Sequence, residues 1–166
     1  MPSKILYNKN TNKIVRCQPE PKGSATLPSF EALCKSARVA EGQKEYLDTI
    51  VISGDYLTNH VQDKFRIVNL DDKIQVKKKP KVKINLSTTE LDSSVDNVLT
   101  INVDIQGILP IDSISSINMA INDINFTINI ADNTGSKEVE LQEPDTYKIR
   151  CIEDRFISQP VTVEVI

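Results

Sequence analysis

The sequence predicts a mainly β protein in two parts: a small α+β module, then an antiparallel β-sandwich. Three observations carry this prediction. From Val82 onward, apolar and polar side chains alternate in one short run after another, the pattern of half-buried strands. A helical spacing of apolar residues occurs in one stretch alone, Leu27 to Ala40. Charge also divides along the chain, with 15 Lys/Arg against 9 Asp/Glu in residues 1–82 and 5 against 14 in residues 83–166. The expected organisation is an N-terminal α+β module over 1–77, a Lys/Pro connector over 78–82, and a sandwich over 83–166.

In the first part, Lys4–Tyr7 and Lys13–Cys17 flank Asn8-Lys9-Asn10-Thr11-Asn12. Asparagine tolerates left-handed backbone and forms side-chain turns, so this stretch predicts a β-hairpin. Gln18 to Thr26, with Pro19, Pro21 and Gly23, reads as a loop. Leu27 to Ala40 predicts a helix of about three turns. Pro28 sits in its first turn, Ser29 or Leu27 near the cap, and Gly42 at the stop; Phe30, Leu33, Cys34 and Ala37 share one face. Thr49–Ile52 is a β-branched strand ending at a Ser53-Gly54-Asp55 turn. Phe65–Val68 and Lys73–Val76 flank Asp71-Asp72 as a second hairpin. A unit of this size has few apolar residues for an independent core.

Lys77-Lys78-Lys79-Pro80-Lys81 marks the boundary. Such a run suggests nucleic-acid contact, but no aromatic residue accompanies it to stack bases and the following half would repel phosphates. A solvated connector that discourages strand pairing is the better reading. No nucleic-acid partner is expected.

Beyond the connector, Val82, Ile84 and Leu86 alternate with polar residues, as do Leu99, Ile101, Val103 and Ile105. Gly107 and Pro110 break the pattern, and Ile117, Met119 and Ile121 resume it up to a two-residue turn at Asn122-Asp123. Ile124, Phe126, Ile128 and Ile130 follow, then a loop from Ala131 to Ser136 and a short strand with Val139 and Leu141. Tyr147, Ile149 and Cys151 form the penultimate strand, and Val161, Val163 and Val165 the last. About seven strands at this spacing match an immunoglobulin-like sandwich in count and size. Tyr147 stands where such folds place a tyrosine corner, although an ordinary core-edge tyrosine fits the sequence as well.

Cys17, Cys34 and Cys151 are odd in number and far apart, which argues against a disulfide framework or a zinc site. No signal-like segment opens the chain, and no apolar run is long enough to span a bilayer. Synthesis and folding in a cytoplasm, with no membrane partner, is the expectation.

The sequence offers few chemical candidates. The single histidine, His60, and Cys34 would need a third, orienting group to form a nucleophilic pair. Asn133-Thr134-Gly135 resembles the aspartic-protease triplet with its carboxylate replaced by an amide. Glu90, Asp92 and Asp96 share a loop but lack the spacing and glycine of a calcium-binding hand. Asn85-Leu86-Ser87 and Asn125-Phe126-Thr127 match the glycosylation pattern from within predicted strands. The expectation is therefore no catalytic residue, no cofactor-binding residue and no metal ligand.

Tyr147-Lys148-Ile149-Arg150-Cys151 and Ser158-Gln159-Pro160-Val161-Thr162-Val163 resemble the closing strands of bacterial immunoglobulin-like domains. The opening Lys4-Ile5-Leu6-Tyr7 and Asn10-Thr11-Asn12-Lys13-Ile14-Val15 are similar to small virion proteins of tailed bacteriophages and prophages of Gram-positive bacteria. That resemblance implies a non-enzymatic structural component of a tail, baseplate, neck or capsid decoration, with a virion localisation. Other virion proteins and further copies of the chain would be its partners. The alternative it implies is a carbohydrate- or cell-surface-binding module that meets host surface glycans.

Overall fold

The computed structural model describes residues 2–20, 26–53 and 61–166, arranged in two compact units, Met1–Lys78 and Lys79–Ile166. The first unit opens with β1 (Pro2–Asn8) and β2 (Ile14–Pro19), paired antiparallel. The Asn8 side chain accepts hydrogen bonds from the Asn10 and Thr11 amides at 2.9 and 3.0 Å, and Asn12 adopts a φ of 55°. These asparagines build the predicted turn. Then come α1 (Phe30–Ser36), a 3-10 helix (Glu41–Tyr46), β3 (Leu47–Ser53), α2 (Val61–Lys64), β4 (Phe65–Leu70) and β5 (Lys73–Lys78). The strand order β2-β1-β3 puts β1 in the centre, where both of its faces are covered. Ile5 and Tyr7 pack with Ile14, Val61 and Ile67, while Leu6 packs with Leu33, Cys34 and Leu47. The successive side chains of one strand thus serve two separate cores.

The helix is shorter than its sequence pattern. Ser29 caps it by accepting from the Ala32 amide at 3.1 Å, but the chain leaves at Arg38, not at Gly42. Arg38 takes a φ of 56°, Val39 N–H donates to Cys34 O at 3.0 Å, and Arg38 N–H donates to Lys35 O at 3.2 Å. This is the Schellman ending, here without glycine, and Val39 packs on the same cluster as Cys34. Apolar spacing beyond Ser36 concealed the stop, and Gly42 lies within the 3-10 helix. Asp71 and Asp72, with φ of 53° and 58°, form the tight turn between β4 and β5. Pro21, Gly23, Gly54, Asp55 and His60 lie outside the described residues.

The second unit contains β6 (Lys81–Leu86), β7 (Glu90–Leu91), β8 (Val98–Gln106), β9 (Ser116–Ile121), β10 (Ile124–Asn129), β11 (Thr134–Glu140), β12 (Asp145–Cys151), β13 (Ile157–Ser158) and β14 (Val161–Val165). Sheets ordered β10-β9-β12-β14-β7 and β11-β8-β6-β13 form the immunoglobulin-like sandwich, seven full strands with two of two residues. Leu99, Ile101, Val103 and Ile105 of β8 face Ile117, Met119, Ile149 and Val163 in one continuous core. Of the predicted connector, Lys78 belongs to β5, and Lys81 and Val82 belong to β6. Lys79 and Pro80 alone lie outside strands.

Two details differ from the sequence pattern. Strand β11 begins at Thr134, so the predicted Ala131–Ser136 loop shrinks to a tight turn with Asp132 and Asn133 at positive φ, and Leu141 lies just beyond the strand. Thr134 and Ser136 are polar and gave no strand signal. Gly135 is required there by close approach. A Cβ on it would meet the Asn129 carbonyl and lie 2.7 Å from Ile128 Cγ2 and 2.8 Å from Ile130 Cδ1. Ile124, expected to face inward like Phe126 and Ile128, is 74% exposed.

Candidate functional site

Of the three carboxylates, Glu90 lies in β7, and Asp92 and Asp96 bond the backbone that follows them. Asp92 Oδ1 accepts from the Ser94 amide at 3.0 Å and the Ser94 hydroxyl at 2.6 Å, and these bonds hold its carboxyl below the usual range. Asp96 Oδ1 accepts from the Val98 amide at 3.0 Å. Among the described residues no group of three or more His, Cys, Asp or Glu is placed to share a metal ion.

Cys34 is fully buried on the inner face of α1, and burial, followed by the charge of Glu31, pushes its thiol up. A thiol held protonated is a poor nucleophile. Its suggested partner, His60, lies outside the described residues. Cys17 and Cys151 are also free thiols raised by burial. The Asn133-Thr134-Gly135 triplet occupies the turn into β11, where Thr134 Oγ1 donates to Ala131 O at 3.1 Å.

Tyr147 settles into a tyrosine corner: its hydroxyl donates to Glu143 O at 3.0 Å, four residues upstream, as β12 begins. Phe126 packs against the core and Phe156 is 6% exposed, with the Arg155 guanidinium 4.8 Å from its ring centroid. Arg155 is itself held by Glu153 at 2.5 Å. The three aromatic residues of the sandwich are thus committed to its architecture and do not form an exposed stacking platform.

The lysine run is divided between the two units. Lys77 and Lys78 are neighbours in β5 and point to opposite faces of the strand. Lys79 Nζ donates to Asp154 O at 2.5 Å, and Lys81 of β6 stands opposite Gln106 of β8.

The second unit carries one polar concavity that sequence reasoning missed. On the outer face of the four-stranded sheet, Asn85, Asn102 and Ser136 align across β6, β8 and β11, and all three are exposed. With Asp104, Thr134 and Gly135 they line a shallow depression of about 400 Å³. The outward positions of β6 and β8 were legible from their alternation. Ser136 was hidden by its assignment to a loop.

No protein-family model matches the chain, and no curated protein matches it. Among solved structures, it is similar to a β-glucuronidase from glycoside hydrolase family 2, at 15% identity and a TM-score of 0.37. The match spans 99% of this chain and 17% of that chain. A likeness of that strength carries no information about activity here.

Proposed function

We propose that the chain is a non-enzymatic structural component of a phage or prophage particle. In this reading the basic first unit anchors it and the acidic sandwich projects or braces a neighbour. The observation that carries the reading is the use of the reactive side chains. Cys34 is sealed in a core, Asp92 and Asp96 cap the backbone of their own loop, and the sandwich aromatics hold the fold. The difference in charge between the units adds support, since opposite potentials steer association. Mass spectrometry of particles induced from a host strain tests it. A fixed stoichiometry in purified particles is expected, and absence from them would sink the reading.

A second reading, a glycan-binding module, is favoured by the Asn85–Asn102–Ser136 depression. Amides and hydroxyls suit sugar hydroxyls, although no aromatic residue lines the depression to supply the usual apolar contact. Glycan-array binding by the full chain, lost on Asn102→Ala, is the expected outcome under this reading.

A further inference from the structure

Sheet edges are templates for foreign strands, and folded proteins blunt them by brevity, charge or covering. The sandwich has four edges, and three are blunted. β7 and β13 are two residues each, and β11 carries Lys137, Glu138 and Glu140. The fourth, β10, reads Ile124-Asn125-Phe126-Thr127-Ile128-Asn129, six residues without a charge, proline or bulge. Its far end is covered where Gly135 meets the Asn129 carbonyl, which leaves Ile124–Ile128 open. Ile124 adds an apolar side chain 74% exposed beside this edge. With Ile121 and Ile124 closing a two-residue turn, the amides and carbonyls of Asn125 and Thr127 face outward.

In the first unit, β5 pairs with β4 alone, and its other side has no strand partner among the described residues. By the same turn geometry Ile74 and Val76 present their backbone groups outward. β5 carries Lys73, Lys77 and Lys78, no acidic residue, and an Ile74 that is 45% exposed; Asp71 and Asp72 sit at its turn. Three lysines make pairing of β5 with another β5 repulsive. The Lys79–Ile166 unit holds 14 Asp/Glu against 7 Lys/Arg, and the Met1–Lys78 unit 9 against 13, so two sandwiches repel while unlike units attract.

We propose that β10 of one copy accepts β5 of a second copy as an added strand, a head-to-tail contact that extends the five-stranded sheet. Main-chain hydrogen bonds supply the adhesion, and the charge difference selects the unlike pairing. Such a heterologous contact closes into a ring or runs on as a filament. It stands or falls independently of the particle reading, because it concerns the purified chain alone.

The test is light scattering of the full chain across concentration and salt, with three variants. Asn125→Pro removes an outward amide from β10, Ile124→Lys changes an exposed side chain there, and Ile74→Glu places a negative charge on β5. The wild-type chain is expected to self-associate and to dissociate as salt rises. Each variant should weaken association by about tenfold or more. Should Asn125→Pro disturb the fold by circular dichroism, Ile124→Lys takes its place, since its side chain is already in solvent. Mixing the β10 variant with Ile74→Glu should restore a two-chain species, because each keeps the edge the other lacks. A monomeric wild type at every concentration would overturn the proposal. So would an Ile74→Glu chain that still associates like wild type, which would mean β10–β10 pairing, or a mixture that stays monomeric.

Discussion

The two units bury their apolar residues in opposite ways. The sandwich folds two sheets around one core of sixteen buried residues, so each strand needs one apolar face. Among its described residues, the first unit splits its interior into clusters of five and four buried residues on the two sides of one three-stranded sheet. Its central strand is therefore apolar at consecutive positions, Ile5-Leu6-Tyr7, whereas β8 alternates strictly from Leu99 to Ile105. The contrast teaches that a short unit can be closed by layering, at the cost of two thin cores whose members have few substitutes.

That contrast can be broken most directly in the larger core. Ile149→Ala removes a fully buried side chain from the middle of β12 and should cost about 3–4 kcal/mol in urea unfolding. Signals from the first unit should be unchanged by it, and a single shared transition would contradict separate cores. Leu33→Ala in the thinner cluster is expected to cost about 2–3 kcal/mol and to melt α1 first, seen as loss of amide protection over Phe30–Ser36. Tyr147→Phe removes the corner hydrogen bond and should cost about 1 kcal/mol, with the fold intact by circular dichroism. Ser29→Ala should cost a similar amount, about 1 kcal/mol, localised to the first unit.

The smallest expected effect is on pH dependence. The Asp92 carboxyl is held low by the Ser94 hydroxyl and then the Ser94 amide. A folded-state value below the unfolded one means its stabilisation is complete above the ordinary carboxylate range. It is lost as the pH falls below that range through the folded-state value. Asp92→Asn should flatten the acid limb of a stability-against-pH curve slightly, and an unchanged limb would remove the carboxyl from the account.

Strands with one buried face were legible because alternation is a local signal. Leu99 to Ile105 and Ile117 to Ile121 follow from period and turn chemistry, whereas the Tyr147 corner, one of two readings the sequence allowed, is decided by the hydrogen bond to Glu143 O. The end of α1 was not legible, because Arg38 enters the left-handed region only when Val39 finds the core behind Cys34, which is a tertiary fact. Thr134 to Ser136 were missed for the same kind of reason. Their side chains face solvent, and β11 exists because β8 offers an edge to pair with. Ile124 inverts the lesson, since it keeps the strand period and yet lies in water. The polar depression on the four-stranded sheet was out of reach as well, since it depends on which three strands lie side by side.

Strand β14 pairs antiparallel with β12 and parallel with β7, where Glu164 N–H donates to Thr89 O at 3.0 Å and Ile166 N–H to Leu91 O at 2.9 Å. Suppose the sandwich is pulled apart between Lys79 and Val165. The parallel contact is then loaded lengthwise, so that its hydrogen bonds must give way together. A peeling load would open them one after another. The unit is therefore braced against tension along its strands and weaker against a sideways tug, a mechanical polarity that single-molecule stretching in the two geometries would register as unequal rupture forces.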